Sequence, residues 1–110
     1  PDKLARVFNN VLKNAAAYSY PNTEIIIAAK VKSDVVEISF QNKGNTIPKE
    51  KLSAIFEKFY RLDEARTSNT GNAGLGLAIA KEIVTLHGGT ISAVSENNIV
   101  KFLISLPLHP

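Results

Sequence analysis

The chain has 110 residues, 45% hydrophobic and 21% charged, with no Cys, Met or Trp. That size and apolar fraction suit one folded domain that buries roughly 60–70% of its unfolded surface, and they exclude wholesale disorder. The absence of cysteine rules out a disulfide framework, a thiolate metal site and a cysteine nucleophile. The net charge of +3 divides as +2 over residues 1–50 (seven basic, five acidic) and +1 over residues 51–110 (six basic, five acidic). No basic stripe of the kind nucleic acid needs is present, so no nucleic-acid partner is expected. No apolar run approaches the ~18 residues of a membrane span. Two histidines are too few for a multi-histidine metal site. The opening Pro1-Asp2-Lys3-Leu4 lacks an initiator Met and reads as a piece of something longer.

In chain order, residues 3–18 predict a helix, with Leu4, Val7, Phe8, Val11, Leu12 and Ala15 forming one apolar stripe and Asp2 as N-cap. Tyr18-Ser19-Tyr20-Pro21-Asn22 breaks it. Residues 24–32 and 35–41 are β-rich, and the Ser33-Asp34 pair between them predicts a hairpin. Asn42 to Thr46 reads as a polar loop, and Pro48 as the first turn of a short helix ending near Ala54. Residues 61–74 lack apolar periodicity, as a functional lid or a disordered segment would. A second helix is expected from Leu75 to Leu86, stopped by His87-Gly88-Gly89. Strands at 90–95 and 99–106 around an Asn97-Asn98 turn complete the chain. This order implies a two-layer α/β (α+β) sandwich, a mixed sheet of four to five strands covered on one face by about three helices.

The glycine cluster Gly71-Asn72-Ala73-Gly74-Leu75-Gly76-Leu77 closes the long polar segment and opens a helix. Glycines permit close backbone approach, and a helix N-terminus offers free N–H groups to an anion. It is not a Walker A loop, because Leu77-Ala78 stand where Lys-Ser/Thr is required. It is not a dinucleotide fingerprint either, because Ile79 occupies the third glycine position. A flexible linker with tight helix packing is the structural alternative. Asn10 and Asn14 lie four apart on one helix face, where their amide oxygens could meet a hard cation such as Mg²⁺ or simply be solvated. His87 reads as a helix C-terminal residue.

Taken in order, these segments resemble the ATP-binding domain of bacterial sensor histidine kinases, within the gyrase–Hsp90–histidine kinase–MutL superfamily, over essentially the whole chain. Asn10-Val11-Leu12-Lys13-Asn14-Ala15 with Tyr18-Ser19 is similar to the N box, and Asn42-Lys43-Gly44-Asn45-Thr46-Ile47-Pro48 to the first glycine box. Ile55-Phe56-Glu57-Lys58-Phe59-Tyr60-Arg61 resembles the F box, and Gly71 to Ile79 the second glycine box. The wording of the F box and of Arg61–Ala80 resembles the vancomycin-resistance sensor kinases of Gram-positive bacteria in particular.

The resemblance implies a Bergerat-type fold, ATP as substrate and Mg²⁺ held by Asn14 with help from Asn10. Asn10 stands where the superfamily's hydrolases carry a water-activating Glu. An amide cannot act as a general base, which suits transfer to another nucleophile instead of water. Adenine would lie over Asn42, with Gly44 and Ile47 at its edge and Tyr18 near the ring. The phosphates would meet the backbone around Gly74, Leu75, Gly76 and Leu77, with charge from Lys58 or Arg61 and residues 62–73 as the ATP lid.

Three positions depart from the family pattern: Asn42 replaces the adenine-binding Asp, Ile99-Val100 replace a Gly-Thr, and Ala17 replaces a basic residue. These losses predict a Mg–ATP dissociation constant of ~10⁻⁴ M or weaker. Neither His87 nor His109 has the acidic context of a phosphoacceptor, so the chain is not expected to autophosphorylate alone. The implied partners are the protein's own upstream histidine-containing dimerisation domain and a response regulator, the fragment itself being monomeric. The implied setting is the cytoplasmic part of a membrane-anchored sensor, with a role in glycopeptide resistance. The competing function is a degenerate nucleotide-binding or docking module without phosphoryl transfer.

Overall fold

The computed structural model describes residues 2–57 and 76–108. Its first element is helix α1, Asp2–Tyr18, whose 3.6-residue periodicity places Val7, Val11 and Ala15 in the core with no exposed surface. Leu4 and Phe8 flank that line, and the Phe8 ring packs on Phe40 at a centroid distance of 6.3 Å. Strands β1 (Ile25–Lys32) and β2 (Val35–Lys43) follow, then two single 3₁₀ turns at Lys49–Lys51 and Ala54–Phe56. Helix α2 spans Gly76–Leu86, and strands β3 (Thr90–Glu96) and β4 (Ile99–Pro107) close the described chain.

The sheet runs β1-β2-β4-β3, and all three ladders are antiparallel. The expected mixed sheet is therefore corrected in one respect. The α2 crossover carries the chain from β2 to β3 in the same direction, but β4 inserts between them and pairs antiparallel with both. The two-layer arrangement itself is as expected: α1 and α2 pack on each other and on one sheet face. On that face β4 contributes Val100, Phe102, Ile104 and Leu106 at alternate positions, all buried. Ile83, Val84, Ala80 and Leu77 of α2 meet them in one core.

Turn chemistry fixes the element ends. Helix α2 stops in a Schellman arrangement, Gly89 N–H donating to Val84 O at 2.9 Å and Gly88 N–H to Thr85 O at 3.0 Å, with Gly88 at φ +79°. The β3–β4 hairpin turns on Asn97 (φ 54°) and Asn98 (φ 63°), the double positive φ of a tight two-residue loop that asparagine tolerates. The β1–β2 turn places positive φ on Ser33 at 56°.

Two other expectations are corrected. Asn42 and Lys43 belong to β2, not to a loop: Asn42 pairs with Ile25 on one side and Val100 on the other, and Lys43 with Ile99. Sheet hydrogen bonding on both flanks overrides the polar composition that suggested an early end. The helix expected after Pro48 is instead two 3₁₀ turns, each buttressed by its own local hydrogen bond, Lys51 N to Pro48 O at 2.8 Å and Glu57 N to Ala54 O at 2.9 Å. Ile55 and Phe56 in the second turn are buried, so it serves to anchor the chain to the core.

Candidate functional site

One end of the sheet holds the residue that the packing does not account for. Asn42 is 1% exposed and is the one buried polar side chain among the described residues. It lies on the core side of β2, two residues beyond Phe40, in a cross-sheet row with Ile25, Val100 and Ser95. Neither its Nδ2 nor its Oδ1 has a hydrogen-bond partner among the described residues. A buried amide left in this state costs roughly 1–3 kcal/mol, so a fold retains one where something else pairs with it.

The backbone beside Asn42 is clamped on both flanks. Toward α1, Tyr20 N–H donates to Lys43 O at 2.7 Å, and the Tyr20 hydroxyl donates to Asn45 Oδ1 at 2.9 Å. Toward the β3–β4 turn, Gly44 N–H donates to Asn98 O at 3.0 Å. Thr46 Oγ1 accepts from Asn98 N–H at 2.7 Å and donates to Asn98 Oδ1 at 3.3 Å. Ile47 N–H donates to Ser95 Oγ at 2.9 Å, and that hydroxyl in turn donates a hydrogen bond to Ile99 O at 2.9 Å. Gly44 is tight: a Cβ there would overlap the Tyr18 carbonyl oxygen and sit 3.2 Å from Asn42 Nδ2. Only glycine lets the end of α1 close down on the end of β2.

On α1, Asn14 Nδ2 donates to the Asn10 carbonyl oxygen at 2.9 Å. A carbonyl only accepts, so this bond fixes the amide with its Oδ1 as the remaining end, an oxygen suited to a hard cation. Asn10 and Asn14 are both half-buried. The sequence-identified residues Asn42, Gly44 and Tyr18 are thus brought together at the junction of α1 and β2. Ile47 is 3% exposed and belongs to the core, and its backbone is tied to β3. Leu77 is also in the core at 3% exposed, so what it can offer a ligand is backbone. Gly76 is the first, buried residue of α2. Lys58, Arg61, Gly74, Leu75 and the proposed lid at 62–73 lie outside the described residues, as does His109. His87 caps its own helix, its Nδ1 lying 2.8 Å from Ile83 O.

Ser95 and the Thr46–Asn98 latch escaped the sequence reading. The available signal for Ser95 was a polar residue at an inward position of β3, after Ile91 and Ala93.

Residues 1–110 match the family model described as histidine kinase-, DNA gyrase B-, and HSP90-like ATPase. The chain belongs to this family. It is 64% identical over 110 residues to the sensor protein VanS of Enterococcus faecium, covering all of this chain and 28% of that protein. It is 42% identical over 96 residues to the sensor histidine kinase WalK of Bacillus subtilis, covering 86% of this chain and 16% of that protein. The chain therefore spans less than a third of the length of these relatives. Among solved structures, the nucleotide-free catalytic domain of the histidine kinase ThkA matches with a TM-score of 0.82 at 30% identity, covering 96% of this chain and 66% of that one. The mycobacterial sensor histidine kinase MprB matches with a TM-score of 0.80 at 28% identity, covering 96% and 70%. These matches establish the ATPase-family fold, and the relatives include sensor histidine kinases. Among the described residues no helix is long and apolar enough to cross a membrane.

Proposed function

We propose that this chain is the ATP-binding catalytic domain of a two-component sensor kinase. It binds Mg–ATP and donates the γ-phosphoryl group to a histidine on a dimerisation domain of the same sensor, outside the chain. The observation that carries the reading is the partnerless Asn42 carboxamide beside Gly44, a hydrogen-bonding edge that protein groups leave open inside a family known for nucleotide binding.

Each residue has a physical task. Asn42 pairs with the edge of the base. Gly44 and the Tyr18 backbone set the width of the base site, and the Ser95 and Asn98 hydrogen bonds hold its rim in register. Asn14 Oδ1, oriented by the Asn10 carbonyl, would hold Mg²⁺. Held there, Mg²⁺ would supply the positive charge that offsets the phosphates during phosphoryl transfer. Asn10, an amide, cannot deprotonate water, which leaves the γ-phosphoryl group for the histidine nucleophile. Backbone N–H groups around Gly74, Leu75 and Gly76 would receive the phosphates, with Lys58 or Arg61 adding charge and residues 62–73 as lid. The domain would stand on the cytoplasmic side of a membrane-anchored sensor, pass its phosphoryl group onward to a response regulator, and serve a response to glycopeptide antibiotics.

The test supplies the upstream histidine domain in trans with γ-labelled ATP. Label on the histidine, lost in Asn14→Ala, is the expected result. ATP binding with no transfer under any stoichiometry would leave a docking module instead of a kinase domain.

A further inference from the structure

The same carboxamide decides which bases the site can take. Asn42 is buried to 1% exposure, and neither Nδ2 nor Oδ1 is engaged among the described residues. Its cross-strand neighbours on β1 and β4 are Ile25 and Val100, whose side chains offer no polar atom to distinguish an amide oxygen from an amide nitrogen. An asparagine bonded to a fixed protein group is held in one orientation by that bond. Among the described residues Asn42 has no such bond, so a half-turn of its amide exchanges donor and acceptor without breaking a hydrogen bond to any of them.

A 6-aminopurine presents an N6–H donor beside the N1 acceptor. A 6-oxopurine presents an O6 acceptor beside an N1–H donor, the reverse order. A carboxamide carries one donor end and one acceptor end, so it can pair twice with either edge, in one orientation or the other. A carboxylate only accepts, so it pairs once with either edge, through N6–H or through N1–H, and leaves N1 or O6 facing another acceptor. Resting on the nucleotide reading above, we propose that this site accepts 6-oxopurine nucleoside triphosphates as well as ATP, with Asn42 as the residue that sets this tolerance. Catalysis is not involved in the distinction, which is one of binding.

Inosine triphosphate is the deciding probe, because hypoxanthine reverses the hydrogen-bond order without adding the 2-amino group of guanine. The 110-residue chain and Asn42→Leu are titrated with Mg–ATP and Mg–ITP by calorimetry, with a thermal melt of each protein. For the wild type the ITP dissociation constant is expected within about tenfold of that for ATP, since a reversed pair of hydrogen bonds that could not adapt would discriminate by about 1–3 kcal/mol, or roughly 5–150-fold. For Asn42→Leu, which can neither donate nor accept, both dissociation constants are expected to rise at least about tenfold. ITP weaker than ATP by more than about tenfold in the wild type overturns the proposal, as does an ITP affinity that Asn42→Leu leaves unchanged. The wild-type ratio decides alone if the variant proves unfolded in its melt. The two readings fail differently: tight ATP without ITP removes base tolerance only, whereas no binding of either nucleotide at millimolar concentration removes the nucleotide reading and this inference together.

Discussion

Replacing Asn42 by leucine should make the protein more stable and unable to bind nucleotide. The side chain is 1% exposed with both polar atoms unpaired, between Ile25 and Val100 on the neighbouring strands and two residues from Phe40. Removing an unsatisfied buried amide recovers about 2 kcal/mol, within the range of about 1–3 kcal/mol measured for such groups. Leucine is close to asparagine in length but carries more volume, and added volume in a packed core costs about 1–3 kcal/mol. Burial of its extra carbons works in the other direction, at about 0.8 kcal/mol per methylene. The sum is a gain of about 1 kcal/mol, a rise in melting temperature of roughly 4–8 °C. Differential scanning calorimetry reads the first effect and Mg–ATP titration the second. A fall in Tm would refute the reasoning, because it would mean that the amide is satisfied inside the folded chain and is not held open for a ligand.

Other substitutions probe the surroundings of that amide. Gly44→Ala drives a methyl into the Tyr18 carbonyl and should cost about 2–4 kcal/mol in urea denaturation, from overpacking plus a weakened Gly44–Asn98 or Tyr20–Lys43 bond; a loss below about 1 kcal/mol would contradict the close approach. Ser95→Ala leaves Ile47 N–H without its acceptor and should cost about 1–3 kcal/mol by the same measurement. Asn14→Ala should lose no more than about 1 kcal/mol of stability, since it gives up one half-buried hydrogen bond. It should nevertheless weaken Mg–ATP binding at least about tenfold and abolish the effect of magnesium on affinity; an unchanged magnesium dependence would remove Asn14 from the metal site.

The legible parts of the fold were those written in local periodicity. The apolar line from Leu4 to Ala15 marks α1, and the Asn97-Asn98 pair marks its hairpin, because helix faces and positive-φ turns depend on a few adjacent residues. Strand order was not legible: that β4 lies between β2 and β3 is a long-range choice, invisible in either strand alone. The run Ile25-Ile26-Ile27 reads like a strand buried on both faces, yet Ile26 and Ile27 are about half exposed because β1 is an edge strand. Asn42 is the instructive miss. Its residue type argued for a loop, and ladder pairing with Ile25 and Val100 on both flanks holds it inside the sheet. The motifs single out Asn42, Gly44 and Asn14 by residue type and spacing, whereas Ser95 and Asn98 become visible only when the chain brings residues about fifty positions apart within hydrogen-bond distance.

The most direct test of the central claim is a Mg–ATP titration followed by NMR at the Asn42 side-chain amide and the Gly44 N–H. Saturable shifts of both signals, with a dissociation constant of ~10⁻⁴ M and dependence on magnesium, are the predicted result. No shift at either position with millimolar Mg–ATP and a folded protein would contradict the account.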